Sequence, residues 1–453
     1  MTNTPLLDIK NLGVEFSGAR GWTRALDGFS MTIDRGETVA LVGESGSGKS
    51  ITGLSIMQLL PYPSARHTEN SSIIYDGRQM IGADQSTLRD IRGNDISMIF
   101  QEPMMSLNPL HRIEKQVSES LILHQGLTRT TARARTLDLL DMVGIVNAKS
   151  RLNAYPHELS GGQKQRVMIA IALANKPDLI IADEPTTALD VTIEAQILSL
   201  LEDLKKELNM ALMLITHDLN VVQSYADRTY VMEQGLLVES NDTKALFDQP
   251  KHPYTRKLLS AKPTGAPKPV AANAKTLLSG EDVKVHFPIK AGILKRTIDH
   301  IRAVDGISFD IKQGETLGVV GESGSGKSTL GFAVLQLVKS QGLINFDGQD
   351  LAKISPKDMK ALRRDIQIVF QDPFGSLSPR MTIGSIIGEG LEVHEPSLND
   401  EARDRLIVQA MQDVGLDPNA RFRYPHEFSG GQRQRVSIAR AMVLKPRFIV
   451  LDE

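Results

Sequence analysis

Short apolar runs alternate along the chain with longer stretches of helical periodicity. Thr38–Val42, residues 179–182 and Ala211–Ile215 are continuous apolar runs of strand length. Val191–Leu208 has the spacing of an amphipathic helix. Residues 316–320 and Phe448–Leu451 repeat the strand pattern further along the chain. Strands that alternate with helices predict an α/β fold with mostly parallel sheets.

The chain contains an internal repeat with a long period. The motifs found in both halves are GESGSGKS (residues 43–50 and 321–328), FQEP or FQDP (100–103 and 370–373), YPHELSGGQ or YPHEFSGGQ (155–163 and 424–432) and DE (183–184 and 452–453). Their order is the same in both halves, and the period is too long for a solenoid. We predict two tandem domains, residues 1–262 and 277–453. Residues 263–276, rich in proline and alanine, form the linker between them.

Composition narrows the class of protein. The chain has 453 residues, of which 41% are hydrophobic and 23% charged, and its net charge is −2. This balance gives no basic field for nucleic acid. The absence of cysteine excludes disulfides and Cys-ligated zinc or iron–sulfur centres. No apolar stretch approaches the ~18 residues of a membrane span, and no secretion signal is evident. We therefore expect a soluble cytoplasmic protein.

GESGSGKS fits the phosphate-loop pattern G-x-x-x-x-G-K-[ST] between a strand and a helix. Glycines let successive backbone N–H groups converge on phosphate oxygens at a positive helix end. Lys49 and Lys327 would reach the outer phosphates, and the hydroxyls of Ser50 and Ser328 would bind Mg²⁺. The predicted phosphate-binding residues are Gly43, Glu44, Ser45, Gly46, Ser47, Gly48, Lys49, Ser50 and Ile51, with Gly321, Glu322, Ser323, Gly324, Ser325, Gly326, Lys327, Ser328 and Thr329. The alternative is a glycine-rich turn that merely caps a helix, which the duplication disfavours.

An Asp–Glu pair ends a buried apolar strand in each half. The carboxyl ends of parallel strands are where ligands bind in open sheets. Asp183 and Asp452 would hold Mg²⁺, and Glu184 and Glu453 would orient and deprotonate the attacking water. The alternative is that these acids mark a strand end facing solvent.

A second anion site precedes another helix in each half. Its residues are Ser160, Gly161, Gly162 and Gln163 in the first half, and Ser429, Gly430, Gly431 and Gln432 in the second. Ser with Gln three residues later is a capping-box pattern, and the glycines expose backbone N–H groups. Each half already has its own phosphate loop, so this site would serve the nucleotide of the other half. A plain capping box is the alternative.

LSGGQ between a phosphate loop and an Asp–Glu strand is similar to the nucleotide-binding domains of ATP-binding-cassette (ABC) transporters. The resemblance covers nearly the whole chain in two copies. It implies P-loop NTPase domains with helical subdomains and an antiparallel β edge. It also implies that the two domains pair within the chain and enclose two ATP molecules. Lys49 would share one site with Ser429–Gly431, and Lys327 the other with residues 160–162.

The same resemblance implies roles for further residues. Gln101 and Gln371 fall on the loop that contacts Mg²⁺ or water and signals to the membrane subunit. Asp190 falls on the loop that crosses the dimer, and His217 on the position that steadies the γ-phosphate and the water. Phe16 and Phe287 would stack on adenine, although a role in the core is nearly as good an interpretation for each.

Two details resemble one group of ABC importers. Residues 101–109 read QEPMMSLNP, residues 371–379 read QDPFGSLSP, and HPYT at 252–255 is followed by RKLL. These features resemble the oligopeptide, dipeptide and nickel importers, and the fused halves resemble the microcin C and peptide importers. The resemblance implies two integral membrane permease subunits, a solute-binding protein, and a place on the cytoplasmic face of the bacterial inner membrane. No nucleic-acid partner is expected.

The pattern breaks in the second half, which ends at Glu453 without a counterpart of His217 or HPYT. We interpret this half as incomplete and expect the 453-residue chain to be poorly stable and weakly active. Two other functions remain open. One is a soluble tandem ABC ATPase that acts on ribosomes or DNA, and the other is a regulatory binder without catalysis.

Overall fold

The computed structural model describes residues 4–18, 21–100, 106–186, 191–261, 266–267, 269–271, 273–291, 296–322 and 324–452. Four predicted site residues, Gln101, Asp190, Ser323 and Glu453, lie outside these ranges. The chain divides into two compact units, residues 1–264 and 265–453.

Unit 1 is built from strands and helices that alternate as the sequence predicts. Its strands are β1 (Leu7–Gly18), β2 (Gly21–Ile33), β3 (Thr38–Val42), β4 (Ala65–His67), β5 (Ser72–Tyr75), β6 (Arg78–Gln79), β7 (Ile96–Ile99), β8 (Leu179–Asp183), β9 (Ala211–Ile215), β10 (Arg228–Glu233) and β11 (Leu236–Asp242). Its helices are α1 (Lys49–Ile56), α2 (Gln85–Ile91), α3 (Ile113–Gln125), α4 (Arg129–Met142), α5 (Ala148–Arg151), α6 (Gly161–Leu173), α7 (Val191–Leu208), α8 (Leu219–Tyr225), α9 (Thr243–Asp248) and α10 (Pro253–Ser260).

A six-stranded sheet forms the centre of unit 1, in the order β11-β10-β3-β9-β8-β7. The pairs from β10 to β7 are parallel, and β10 pairs with β11 antiparallel. Every residue of β3, β8 and β9 is buried. Parallel strands covered on both faces need continuous apolar runs, so the sequence pattern predicts them correctly.

Two further parts flank this sheet. Strands β2, β1, β5 and β6 form an antiparallel sheet, with β4 paired to β1. Helices α3, α4 and α6 share an apolar cluster that continues to the central sheet through Ile180 and Leu214. The antiparallel edge and the helical subdomain expected of the fold are therefore both present.

Unit 2 repeats this plan in part. Its strands are β12 (Thr276–Ala291), β13 (Arg296–Lys312), β14 (Gln341–Phe346), β15 (Gln349–Asp350), β16 (Ile366–Val369) and β17 (Phe448–Leu451). Its helices are α11 (Lys327–Val334), α12 (Pro356–Leu362), α13 (Pro373–Ser376), α14 (Ile383–His394), α15 (Asp400–Asp413) and α16 (Gly430–Met442). Strands β13, β12, β14 and β15 form an antiparallel sheet, and β16 pairs parallel with β17.

One strand prediction is wrong in unit 2. Residues 316–320 have strand composition, yet they form no strand, and Val320 is 93% exposed. The equivalent β3 in unit 1 is hydrogen-bonded between β9 and β10. Among the described residues of unit 2, no strand occupies either neighbouring position. A strand needs a ladder partner, so apolar composition alone does not make one.

The carboxyl ends of the central strands of unit 1 meet at one edge of the sheet. Strand β3 leads into residues 43–50, β8 ends at Asp183, and β9 ends two residues before His217. This shared edge brings together segments that are distant in sequence.

Among the described residues, no helix is long and apolar enough to cross a membrane.

Candidate functional site

The loop of residues 43–50 connects β3 to α1 and needs glycine at several positions. Gly43, Gly46 and Gly48 have φ angles of 155°, 83° and 102°. A Cβ atom at Gly43 would lie 2.2 Å from the carbonyl oxygen of Met232. One at Gly48 would lie 2.4 Å from Cδ2 of Leu26. The loop thus combines positive φ angles with close packing against β10 and β2, which side chains would prevent.

Lys49 holds the start of this loop. Its Nζ donates hydrogen bonds to the carbonyl oxygens of Gly43, at 2.8 Å, and Glu44, at 3.0 Å. Only 6% of the residue is exposed. Burial lowers the pKa of Lys49, while the carboxylates of Glu184 and Asp183 oppose the shift. The ammonium group is therefore fixed at the loop, close to two acids.

Ser50 and Asp183 form a pair of oxygen donors beside the loop. The Ser50 hydroxyl donates to Oδ1 of Asp183 over 3.1 Å. Asp183 is 5% exposed, and burial raises the pKa of its carboxyl group. A hydroxyl and a carboxylate are the ligand types that Mg²⁺ takes from proteins alongside phosphate oxygens. Among the described residues, no group of three or more His, Asp or Glu forms a complete metal cage.

Glu184 and His217 lie next to each other at the same edge of the sheet. Nδ1 of His217 is 3.2 Å from Oε1 of Glu184, and this hydrogen bond raises the pKa of His217. The backbone N–H of Glu184 donates to the Ile215 carbonyl at 2.8 Å. Glu184 has a φ of 47°, which is uncommon for a residue with a side chain. Such local strain is frequent at functional sites.

The second predicted anion sites begin helices α6 and α16. Ser160 accepts from the Gln163 N–H at 3.3 Å, and the Gln163 side chain accepts from the Ser160 N–H at 3.1 Å. Ser429 and Gln432 make the same two bonds, at 3.3 and 3.0 Å. The predicted capping boxes are therefore present in both units. Gly161, Gly430 and Gly431 begin these helices, and a Cβ at Gly430 or Gly431 would meet no atom within 4 Å.

The loop of unit 2 repeats the polar contacts of unit 1. Nζ of Lys327 donates to the carbonyls of Gly321, at 2.8 Å, and Glu322, at 3.0 Å. The Ser328 hydroxyl donates to Oδ1 of Asp452 at 2.7 Å. Lys327 is more exposed than Lys49, because no strand of the described part of unit 2 lies beside the segment that leads into its loop.

The remaining predicted site residues fall into different surroundings. Ile51 and Thr329 lie in the first turns of α1 and α11. The Phe16 side chain is half-buried against the core of unit 1, whereas Phe287 is 42% exposed opposite Ile301. Gln371 is exposed two residues after the end of β16.

One residue beside the loop was not among the sequence-predicted site residues. The hydroxyl of Tyr254 accepts a hydrogen bond from the backbone N–H of Glu44 at 3.0 Å. Tyr254 belongs to the HPYT segment, which at the level of sequence indicates only a resemblance to the oligopeptide importer group. The sequence pattern around Tyr254 cannot indicate this contact, because Glu44 lies 210 positions away along the chain.

Comparison with known protein families gives two matches. The "ABC transporter" family model matches residues 26–187 and 304–453. The model described as "Oligopeptide/dipeptide transporter, C-terminal region" matches residues 238–277, which include the HPYT segment.

Curated proteins similar to the chain carry related descriptions. The peptidoglycan transport ATP-binding protein YejF of Agrobacterium fabrum (strain C58) is 57% identical over all of this chain and 83% of its own length. An uncharacterized ABC transporter ATP-binding protein YejF of Escherichia coli (strain K12) is 54% identical over all of this chain and 85% of its own length. The glutathione import ATP-binding protein GsiA of Pectobacterium atrosepticum is 46% identical, over 99% of this chain and 77% of its own length.

Proposed function

Because the chain belongs to the ATP-binding proteins of ABC transporters, in the oligopeptide and dipeptide import group, we propose that it energises the import of peptides or peptide-like solutes through a membrane permease. Its domains are of the ATP-hydrolysing ABC type. The proposal is supported most directly by a set of contacts that is present in both units. In both units a loop lysine bonds two loop carbonyls, and the next serine bonds the aspartate at a strand end.

The residues at the loop suit a Mg²⁺-bound triphosphate. Ser47 has a buried hydroxyl that finds no hydrogen-bond partner among the described residues. A Cβ atom at Gly46 would meet no atom within 4 Å, so phosphate oxygens can approach the backbone there. Ser50 and Asp183 would hold Mg²⁺ in unit 1, and Ser328 and Asp452 in unit 2. When bound, Mg²⁺ neutralises charge on the outer phosphates. Lys49 and Lys327 add positive charge at the same place.

Hydrolysis in unit 1 would use Glu184 and His217. Glu184 orients a water molecule and accepts its proton as the water oxygen bonds to the γ-phosphorus and the bond to the ADP oxygen breaks. His217, held by its bond to Glu184, donates a hydrogen bond to the phosphate oxygens. By resemblance, Glu453 would have the role of Glu184 in unit 2. Gln101 and Gln371 would contact Mg²⁺ or water, one in each unit. Of these three, Gln371 is within the described residues.

Pairing of the two units would complete each site. The helix starts at Ser160 and Ser429 present capped, glycine-tipped N-termini that suit an outer phosphate. Each unit already has a phosphate loop, so we propose that each helix start serves the nucleotide of the other unit. ATP then draws the units together, and hydrolysis releases them. In this proposal the two domains that pair are residues 1–262 and residues 277–453.

The relatives support the proposed class of solute and the proposed kind of partner. A protein described as a peptidoglycan transport ATP-binding protein is 57% identical to this chain, and one described as a glutathione import ATP-binding protein is 46% identical. We propose a peptide-like solute, of the microcin C type, that is delivered by a solute-binding protein to two integral membrane permease subunits. The chain would then bind to the permease on the cytoplasmic face of the inner membrane.

The proposal can be tested by tagging the chain in its native cell membrane and identifying what purifies with it. We expect two integral membrane permease subunits and ATP-dependent uptake of labelled peptides into proteoliposomes made from the complex. Lys49→Ala combined with Lys327→Ala should abolish uptake, whereas the exposed Lys149→Ala should not. Co-purification with ribosomal RNA and without a permease would contradict import. The relatives give no support to that ribosome or DNA alternative.

Pairing has its own test, which the lack of native cysteine makes simple. In the chain with Ser45→Cys and Gly431→Cys, a short bis-maleimide should join the two positions when ATP is added. Gly431 has room for the added side chain. The same chain without nucleotide is the control. Equal crosslinking with and without ATP, or none at all, would overturn the proposed pairing.

A further inference from the structure

The HPYT segment is held in place by a chain of specific bonds. The two carboxylate oxygens of Glu239, on β11, accept from the backbone N–H groups of Lys251, at 2.8 Å, and His252, at 2.9 Å. Nδ1 of His252 then accepts from the Tyr254 N–H at 3.3 Å and caps α10, with Pro253 as its first residue. The segment therefore has a defined start and direction.

This anchoring directs the Tyr254 side chain toward the nucleotide loop. Tyr254 is 6% exposed and packs in a cluster with Val42 and Ala40 of β3 and Val231 of β10. Val42 is the residue immediately before the loop. At the far end of the ring, the hydroxyl accepts from the Glu44 N–H at 3.0 Å. The aromatic ring fixes the end of β3, and the hydroxyl fixes the first peptide of the loop.

We propose that Tyr254 is a positioning residue for ATP, through which the HPYT segment holds the loop of unit 1 ready to bind. This inference rests on the proposed function, because it assumes that residues 43–50 bind the phosphates. The Glu44 peptide is where two constraints meet. Its N–H bonds Tyr254, and its carbonyl accepts from Nζ of Lys49.

Loss of the hydroxyl acts through the loop conformation. A loop with glycine at 43, 46 and 48 has many alternatives to the binding geometry. Without Tyr254 Oη, the Glu44 N–H lacks its partner in the present geometry, and conformations that expose it to water gain population. The apparent dissociation constant rises in inverse proportion to the competent fraction. The reaction groups at Glu184 and His217 are untouched, so binding should change and turnover should not.

A second contact between the same segments is weak. Nζ of Lys257, on α10, is 3.7 Å from Oε1 of Glu44, and both side chains are largely exposed. Exposed ion pairs of this kind contribute little. The hydroxyl of Tyr254 is therefore the group to remove.

The test compares two tyrosines in the full chain that carries Lys327→Ala, so that nucleotide binding reports the loop of unit 1. Tyr254→Phe removes one hydroxyl. Tyr230→Phe is the matched control, because Tyr230 is also 6% exposed and its hydroxyl also accepts from a backbone N–H, that of Thr32 at 3.3 Å. Three quantities are measured: the dissociation constant of a fluorescent ATP analogue, kcat for ATP, and hydrogen exchange in peptides that cover residues 43–48.

We expect Tyr254→Phe to raise the dissociation constant about fivefold, as for the loss of one net hydrogen bond. We expect kcat to stay within about twofold of the parent, and exchange at residues 43–48 to become faster. Tyr230→Phe should leave the dissociation constant, kcat and the exchange at residues 43–48 unchanged. It should nevertheless lower thermal stability about as much as Tyr254→Phe does. Unchanged affinity in Tyr254→Phe, or an equal loss in both variants, would overturn the proposal.

A further variant separates this inference from the proposed function. Lys49→Ala in the same background should abolish analogue binding. If it does, and Tyr254→Phe has no effect, the positioning role fails while the ATP site stands. If Lys49→Ala leaves binding intact, the proposed ATP site itself is wrong.

Discussion

Glu184 shows how much chemistry one residue position can concentrate. Its backbone adopts a φ of 47°, its N–H bonds the end of β9, and its carboxylate bonds His217. Asp183 is the last residue of β8, and Glu184, with its positive φ, has left the extended conformation of that strand. Asp183 accepts a hydrogen bond from Ser50, whereas Glu184 contacts His217. The adjacent acids therefore have different partners and different roles.

Replacement of Glu184 tests its role as a base. In the Lys327→Ala background, Glu184→Gln should lower ATP turnover by at least about 100-fold, the usual contribution of a general base. Binding of a fluorescent ATP analogue should persist, because Lys49 and the loop are unchanged. Glu207→Gln, at an exposed position on α7, is the control and should behave like the parent. Turnover within a few fold of the parent would remove Glu184 from the mechanism.

The pH response of His217 tests its contact with Glu184. The hydrogen bond to Glu184 raises the pKa of His217 above its ordinary value. The pair thus stabilises the fold below the unfolded-state pKa of histidine, and this contribution is lost as the pH rises through the raised folded-state pKa. Glu184→Gln should lower the pKa of His217, measured by NMR titration and assigned with His217→Gln. An unchanged or higher pKa in Glu184→Gln would show that the contact does not form in solution.

At the scale of elements, the nucleotide loop depends on what packs around it. Gly43 lies against the carbonyl of Met232 on β10, and Gly48 against Leu26 on β2. The N–H of Gly235, in the turn after β10, donates to the Ser47 carbonyl at 3.1 Å. The loop is thus clamped by strands that are remote in sequence. Its glycines provide both positive φ angles and room for close packing, and substitutions can separate these two requirements.

Two alanine variants separate steric packing from backbone conformation. At Gly46 (φ of 83°) a Cβ meets no atom within 4 Å, so Gly46→Ala should cost only the left-handed conformation, about 1–2 kcal/mol. Gly43→Ala adds a Cβ atom only 2.2 Å from the carbonyl oxygen of Met232 and should cost about 3 kcal/mol or more. Urea unfolding followed through Trp22, the single tryptophan and a residue of unit 1, measures both. Equal costs would contradict the packing argument.

At the scale of the whole molecule, duplication provides an internal comparison. The two loops share sequence, lysine contacts and serine–aspartate pairs. Their supports differ, because β3 of unit 1 is flanked by β9 and β10, whereas residues 316–320 have no neighbouring strand among the described residues. The same local motif is therefore held by a full sheet in one unit and by fewer contacts in the other.

Hydrogen exchange should distinguish the two segments in this chain. Backbone amides of residues 316–320 should exchange on the order of 100-fold faster or more than those of Thr38–Val42, because unpaired amides open without breaking a ladder. The two segments serve as controls for each other, since their apolar patterns are alike. Equal protection would mean that residues 316–320 are paired after all.

Sequence alone determined the features that depend on local chemistry. The glycine and lysine spacing of residues 43–50, the Asp–Glu pair and the capping boxes each need only neighbouring residues. The structure has the corresponding loop, strand end and helix starts. The buried strands β3, β8 and β9 were equally clear, since a strand covered on both faces must be apolar throughout. The repeat then predicted the second set of contacts.

Tertiary structure decided what depends on partners far along the chain. Whether residues 316–320 form a strand depends on a neighbour that their own composition cannot supply. Whether Phe16 packs inward, and whether Tyr254 reaches Glu44 across 210 positions, depends on how the sheet brings separate segments to one edge. Local patterns encode the preferences of a segment, whereas a hydrogen bond or a sheet ladder requires two segments to meet. That meeting is a property of the folded chain.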